Sequence, residues 1–169
     1  MAIEAVLFDF SGTLFRWEAL PPWGADLVGA DGRASAAEQI DPAGWTPYPD
    51  VGAVLDFLAA HGIPVGVVSN LAFDPRPAFA RQGWDSRVAA FALSHEVGAG
   101  KPDPRIFQAA LAALGVDPGA ALMVGDSAVT DGGATELGCR FALVDPLPTA
   151  ERPDALIDAL RAHGLAVPR

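Results

Sequence analysis

The sequence predicts an α/β fold, in which helices cover both faces of one doubly wound, mostly parallel sheet. Short, nearly continuous apolar runs alternate with amphipathic helical patterns along the chain, and each run ends at polar or turn residues. Strands that alternate with helices favour parallel pairing through right-handed crossovers. The length of 169 residues is enough for one well-buried core and short for two. We therefore expect residues 1–169 to form a single domain.

Five apolar runs are interpreted as buried strands because each is brief and is bounded by polar or turn residues. The predicted strands span residues 5–10, 63–70, 89–94, 121–126 and 141–145. Three helices are predicted among and after them from apolar stripes at helical spacing. Their predicted end residues are Asp50 and Gly62 for the first, Asp103 and Gly115 for the second, and Pro153 at the start of the third. Asp50 and Asp103 are expected to cap the helices that follow them.

Residues 15–47, after the first strand, depart from this alternation. The segment is rich in Gly, Pro and Ala and offers one short helix at best, with a capping box from Ser35 to Glu38. It is predicted to be a short, lid-like insertion within the single domain. Three of the four tryptophans lie in it: Trp17, Trp23 and Trp45. They either pack the insertion onto the domain or form a lid or a self-association surface, through which the chain would form a homodimer.

The charge and the apolar pattern restrict the class of partner. The formal net charge is −10, and the 11 Lys and Arg residues form no basic cluster, which argues against nucleic acid or an anionic membrane surface. No apolar run reaches the roughly 18 to 20 residues of a membrane span, and the N-terminal residues lack the pattern of a signal peptide. Cys139 is the only cysteine, so no internal disulfide can form. We expect a soluble cytoplasmic protein whose partner is a small molecule or another protein.

Reactive polar residues stand at the ends of three predicted strands. These residues are Asp9 in the first strand, Ser69 and Asn70 in the second, and Asp126 in the fourth. In open parallel sheets, ligands bind beyond the carboxyl ends of the strands. We therefore expect the four side chains to converge on one site.

The converging residues predict phosphoryl chemistry. Three carboxylates offer hard oxygen ligands of the kind that Mg²⁺ accepts: those of Asp9, Asp126 and Asp131. Lys101 is the candidate cation that would hold an anion together with the metal. The hydroxyl of Ser69 and the amide groups of the turn at residues 11–13 can bind phosphate oxygens. Asp9 is then available as a nucleophile, because carboxylates form aspartyl phosphates.

Four stretches resemble, in order and spacing, the four motifs of the haloacid dehalogenase-like (HAD) hydrolase superfamily: "DFSGTL", "VVSN", "KPDP" and "VGDSAVTD". The resemblance implies a Rossmann-like HAD core for nearly all of the chain outside the insertion. It also implies that Asp9 is the nucleophile, that Ser69 binds the transferred group and that Lys101 neutralises charge. By the same resemblance, Asp126 and Asp131 serve Mg²⁺.

Ser11 stands where phosphatases of this superfamily usually have a second aspartate, which protonates the leaving alcohol and then deprotonates the attacking water. Serine is a poor acid or base near neutral pH, and general acid–base catalysis is typically worth ~10²–10⁴-fold. By resemblance, the backbone carbonyl of Ser11 is still a predicted metal ligand beside Asp9. Ser11, Gly12 and Asn70 are predicted to bind the substrate. We expect weak turnover of alkyl phosphates as a result.

The resulting prediction is a Mg²⁺-dependent, phosphatase-type hydrolase that takes the phosphoryl group of a small phosphate ester or anhydride through phospho-Asp9. Ser11 and the short insertion, which stands where related enzymes have a helical cap, leave a second interpretation open. In this interpretation, the chain is a HAD-fold module that binds phosphate and metal, hydrolyses little substrate and has a binding or regulatory role. Dehalogenation fits less well, because dehalogenases of the superfamily work without metal, whereas Asp126 and Asp131 argue for Mg²⁺ here. Phosphonate cleavage needs a cap lysine, and residues 15–47 contain none.

Overall fold

The computed structural model describes residues 2–18 and 41–169 of the chain, and a parallel sheet forms its centre. The described residues contain seven strands, β1 to β7: Ala5–Phe8, Phe15–Trp17, Trp45–Pro47, Val65–Ser69, Ala90–Leu93, Ala121–Gly125 and Arg140–Leu143. Five of them form one sheet in the order β5-β4-β1-β6-β7, in which every neighbouring pair is parallel. The predicted α/β class with a parallel sheet is confirmed.

Helices cover both faces of this sheet. The described residues contain five α-helices, α1 to α5: Val51–Ala60, Arg76–Arg81, Ser94–Val97, Pro104–Leu114 and Ala155–Ala162. Side chains alternate along β1, so that Val6 and Phe8 pack in one apolar cluster with α1 and α5, whereas Leu7 packs in another with α4. Both faces are thereby buried, which explains the near-continuous apolar strands. Within the described ranges, no helix is long and apolar enough to cross a membrane.

The five predicted strands all occur, with ends that agree to within two residues. β1 ends before Asp9 and β6 ends before Asp126, so both carboxylates extend beyond the sheet edge. The predicted cap of α4 is confirmed, because the side chain of Asp103 accepts a hydrogen bond from the Arg105 amide (3.0 Å). Gly115 ends α4 with a φ of +66°, as expected for glycine.

The predicted cap at Asp50 is wrong. The backbone of Asp50 is helical (φ −94°, ψ −1°), whereas a capping residue is usually extended, and its side chain makes no bond to the start of α1. Its Oδ2 instead accepts hydrogen bonds from the amides of Leu156 (2.8 Å) and Ile157 (3.2 Å) in the first turn of α5. Asp50 therefore caps the last helix.

β2 and β3 form an antiparallel ribbon from the two ends of the predicted insertion. Trp17 pairs with Trp45, and their rings lie edge to face with centroids 5.4 Å apart. Trp45 is buried and also contacts the ring of Phe10, so the ribbon packs on the domain. Trp23 and the predicted capping box at residues 35–38 lie outside the described residues. The extent of the insertion stays a prediction.

Candidate active site

Asp9 lies in a buried polar cluster at the carboxyl edge of the sheet. Its amide donates to the carbonyl of Val124 in β6 (3.0 Å), which continues the pairing of β1 with β6. Its Oδ1 accepts hydrogen bonds from Lys101 Nζ (2.9 Å) and Ser69 Oγ (3.2 Å), and its Oδ2 accepts one from Thr13 Oγ1 (3.3 Å). Three donors, one of them cationic, offset the cost of burying this carboxylate, whose residue is 6% exposed.

Lys101 is a buried cation with three oxygen acceptors. Besides Asp9, its Nζ donates to Asp131 Oδ1 (2.5 Å) and to the carbonyl of Val68 (2.8 Å). All three ammonium hydrogens therefore have acceptors. Burial acts to lower the pKa of Lys101, but attraction to Asp9 and Asp131 outweighs burial and raises it. Lys101 is thus a positive charge fixed beside Asp9.

Asn70 holds the loop that carries Lys101. Its Nδ2 donates to the Lys101 carbonyl (3.0 Å), and its Oδ1 accepts from the Lys101 amide (2.7 Å). The peptide bond between Lys101 and Pro102 is cis. The side chain of Asn70 is therefore engaged with backbone, and its contact with substrate stays a prediction.

Asp126 and Asp131 follow β6 and join Asp9. One carboxylate oxygen from each of the three residues lies within 4.8 Å of the other two. Asp131 packs so closely against the end of β6 that a Cβ on Gly125 would lie 2.2 Å from its Oδ2, and this oxygen also accepts from the Ser127 amide (3.0 Å). Only glycine at position 125 leaves room for Asp131 in the cluster.

When all three carboxyl groups are ionised, they carry more negative charge than Lys101 neutralises. Burial, and next the neighbouring Asp9 carboxylate, raise the pKa of Asp126 to about 8. Burial and Asp9 also raise the pKa of Asp131, although Lys101 acts in the opposite direction. Crowded oxygen donors with excess negative charge fit a hard divalent cation, because such an ion prefers oxygen ligands and would relieve the repulsion.

In the turn that follows β1, one amide among the residues predicted to bind phosphate has no acceptor within residues 2–18 and 41–169. Gly12 has a φ of +81°, which favours glycine, and its amide donates to the carbonyl of Phe15 (2.8 Å). The Thr13 amide donates to the carbonyl of Phe10 (3.3 Å). Within the described part of the chain, the amides of Phe10 and Ser11 have no acceptor, and the Ser11 side chain is exposed. The Ser11 amide is therefore available to an anion.

Two residues, Thr13 and Arg152, make contacts around this cluster that no pattern in the sequence predicts. Thr13 belongs to the predicted turn, yet it is the hydroxyl that contacts Asp9. Arg152, far along the chain, donates to the carbonyls of Gly12 (2.8 Å) and Thr13. A single arginine between a strand and a helix forms no motif, so only the fold reveals its position.

A family model matches the part of the chain that contains most of the clustered residues. The family model described as haloacid dehalogenase-like hydrolase matches residues 24–136, a range that includes Ser69, Lys101 and both acids after β6. The chain belongs to this family. Asp9 precedes the matched range, but its carboxylate contacts Ser69 and Lys101, which lie within that range.

Phosphatases are among the relatives of this HAD protein. It is 37% identical over 113 residues to the phosphoserine phosphatase of Thermus thermophilus, which covers 66% of this chain and 45% of that protein. It is 40% identical over 81 residues to the glyceraldehyde 3-phosphate phosphatase of Methanopyrus kandleri, which covers 47% of this chain and 35% of that protein. The chain thus spans less than half the length of these curated relatives.

A solved structure supports the same HAD fold over a larger part of the chain. The crystal structure of a HAD phosphatase from Thermococcus onnurineus has a TM-score of 0.71 and 25% sequence identity to this chain. The match covers 85% of this chain and 86% of that one. The Rossmann-like HAD core predicted from the sequence is therefore confirmed.

Proposed function

We propose that this HAD protein is a Mg²⁺-dependent phosphohydrolase in which Asp9 accepts the phosphoryl group of a small phosphate ester or anhydride. One observation carries the proposal. The Asp9 carboxylate lies between the Lys101 ammonium (2.9 Å) and the Ser69 hydroxyl (3.2 Å), with two further carboxylates within 4.8 Å. The relatives named phosphoserine phosphatase and glyceraldehyde 3-phosphate phosphatase support a small phosphorylated molecule as substrate.

The residues proposed to hold Mg²⁺ are Asp9, Asp126 and Asp131, whose carboxylates cluster. The backbone carbonyl of Ser11 is added to this set by the resemblance to the superfamily. When bound, Mg²⁺ would neutralise charge on the phosphoryl oxygens and on the crowded carboxylates. Lys101 already fixes two of these carboxylates through its hydrogen bonds, so this part of the set is ordered without a ligand.

The proposed reaction begins with attack of an Asp9 carboxylate oxygen on phosphorus. A bond forms between that oxygen and phosphorus, and the bond to the leaving oxygen breaks, with its electron pair departing on the leaving group. The hydroxyl of Ser69 and the amide of Ser11 would donate to the phosphoryl oxygens, and Lys101 would offset their charge. Water then forms a bond to the phosphorus of phospho-Asp9 while the bond between phosphorus and the Asp9 oxygen breaks. This step restores the carboxylate, and the proton of the water leaves with inorganic phosphate or passes to solvent.

Serine at position 11 limits the substrates that suit this reaction. A leaving alcohol needs a proton, and the attacking water must lose one; serine serves neither transfer well near neutral pH. A carboxylate leaving group, as in an acyl phosphate, departs without a proton. We therefore expect acyl phosphates to phosphorylate Asp9 readily, and we expect phospho-Asp9 to lose its phosphoryl group slowly.

Serine at position 11 also favours a second candidate function, because it supplies no general acid or base for turnover. In this alternative, the chain is a module that binds phosphate and Mg²⁺ with little turnover and serves a regulatory purpose. The two candidates differ in whether Asp9 forms a covalent bond to phosphorus.

Intact-protein mass spectrometry after incubation with Mg²⁺ and acetyl phosphate distinguishes them. We expect a phosphoryl adduct on the wild type, slow release of inorganic phosphate, and no adduct on Asp9→Asn, which keeps the size of the side chain. An incubation with a chelator in place of Mg²⁺ is the second control. Absence of both the adduct and phosphate release would contradict nucleophilic attack by Asp9 and favour the binding module.

A further inference from the structure

Arg152 is a buried cation on the loop between β7 and α5, outside the proposed catalytic set. The residue is 3% exposed. Its Nη1 donates to the carbonyls of Gly12 (2.8 Å) and Asp145 (3.0 Å), and its Nη2 donates to the carbonyl of Thr13. Its Cζ lies 3.1 Å from the centre of the Tyr48 ring. These partners are carbonyl dipoles and an aromatic face.

This environment is energetically unfavourable for a charged side chain. Burying a cation costs free energy unless it is paired and hydrogen-bonded, and burial lowers the pKa of Arg152. The Tyr48 hydroxyl donates to the carbonyl of Leu147 (2.7 Å), which fixes the ring against the guanidinium. A planar guanidinium can bind two neighbouring carbonyls and stack on a ring at once, which the ammonium of lysine does not do. The position therefore requires arginine in particular.

Two of the three carbonyls that Arg152 binds belong to Gly12 and Thr13, which contact residues proposed to hold the metal or to act as the nucleophile. Thr13 donates through its hydroxyl to Asp9 Oδ2 (3.3 Å). Gly12 lies so close to Asp126 that an added Cβ would be 2.6 Å from Asp126 Oδ2. The contacts of Arg152 thus fix the turn relative to two of the three clustered carboxylates.

We propose that Arg152 is a positioning residue, which holds the turn at residues 11–13 in the conformation that binds Mg²⁺ and the phosphoryl group. The inference rests on the proposed function of this site and extends it to a residue outside the four motifs. Removing a group that orients metal ligands typically costs about 10–100-fold in metal affinity or activity. We expect a loss of that size when the guanidinium is removed.

Two variants and a matched control test this role. Arg152→Lys keeps the charge but cannot bind two carbonyls in one plane. Arg152→Met removes the charge and its hydrogen bonds and keeps an unbranched apolar side chain in the same place. Arg161→Lys is the control, because Arg161 also donates to a backbone carbonyl, that of Val167 (2.7 Å), in the C-terminal segment.

Two measurements are made on each protein: hydrogen exchange of the amides at residues 10–15 without metal, and Mg²⁺ affinity by titration calorimetry. We expect both Arg152 variants to exchange faster in this segment than the wild type and to bind Mg²⁺ about 10–100-fold more weakly. Arg161→Lys should match the wild type in both. A lower melting temperature with unchanged exchange and unchanged Mg²⁺ affinity would mean a purely structural role and overturn the inference.

The outcomes separate this inference from the proposed function. A wild type that binds no Mg²⁺ would contradict both the proposed function and the role given to Arg152. A wild type that binds Mg²⁺, with variants that bind it equally well, would contradict only the role of Arg152. The exchange measurement needs neither metal nor substrate, so it reports the conformation of the turn directly.

Discussion

Ser11 separates binding from proton transfer in the proposed site. The hydroxyls and the ammonium that surround Asp9 can hold a phosphoryl group, and each already donates to the carboxylate. None of these groups is an acid–base catalyst with a pKa near neutrality. At the scale of one residue, the expected defect therefore lies in moving protons rather than in binding.

Ser11→Asp should raise the turnover of an alkyl phosphate such as phosphoserine by ~10²–10⁴-fold, because it would add the missing general acid and base. Acetyl phosphate should form phospho-Asp9 at a nearly unchanged rate, since its leaving group needs no proton. Initial rates of phosphate release measure the first effect, and single-turnover mass spectrometry measures the second. Ser11→Asn is the control of equal size. Equal rates for the aspartate and asparagine variants would contradict the explanation.

The sequence could predict most of the clustered residues for a physical reason. Polar residues at the carboxyl ends of neighbouring parallel strands must meet, so Asp9, Ser69 and Asp126 follow from the strand pattern alone. The contacts of Arg152 could not be predicted, because they depend on how a distant loop packs behind the turn. The hydroxyl contact of Thr13 likewise depends on the exact path of that turn.

At the scale of secondary-structure elements, Asp50 joins two parts of the chain. It precedes α1 in sequence, yet it binds the first turn of α5 through Leu156 and Ile157. Its Oδ1 has no partner among the described residues, and burial raises the pKa of this carboxyl. The two hydrogen bonds to α5 are therefore the contacts that a substitution would remove.

Asp50→Ala should lower the free energy of unfolding by about 0.5–2 kcal/mol, the usual cost of losing a helix cap. Urea unfolding followed by circular dichroism measures the change. Asp117→Ala is a matched control, because Asp117 is exposed and makes no capping hydrogen bond. Equal stabilities of the two variants would show that Asp50 does not hold α5.

The length of an element decides how well its sequence predicts it. The five sheet strands are apolar runs bounded by polar residues, so their pattern is visible in the chain. β2 and β3 have three residues each and pair across a long segment, and α3 is a single turn. Elements this short show no periodicity and depend on tertiary contacts. The error at Asp50 has the same origin, because a cap to a distant helix leaves no local pattern.

At the scale of the whole molecule, the clustered acids make stability depend on pH and, under the proposed function, on Mg²⁺. Asp126 has a pKa of about 8 in the folded chain, well above the ordinary value near 4 for aspartate. The folded state therefore binds this proton more tightly than the unfolded state does. The free energy of unfolding of the metal-free protein should fall as the pH rises from about 4 to about 8.

Asp126→Asn should weaken this fall and stabilise the metal-free protein at about pH 9, where the wild-type carboxylate is charged. Mg²⁺ at about 100 times its Kd should stabilise the wild type by about 2.7 kcal/mol, and it should stabilise Asp126→Asn less. Urea unfolding at several pH values, with Mg²⁺ or with a chelator, measures both effects. Parallel pH curves for the two proteins would contradict the role given to this carboxyl.

The ribbon of β2 and β3 has a consequence for how this chain can change over evolution. The Glu18 amide donates to the carbonyl of Gly44 (3.1 Å), so the two ends of the segment at residues 19–40 are tied together. In general, doubling the number of residues between two joined points of a chain costs only about 0.6 kcal/mol of closure entropy. Insertions or deletions between β2 and β3 are therefore expected to leave the five-stranded sheet and its carboxylates in place.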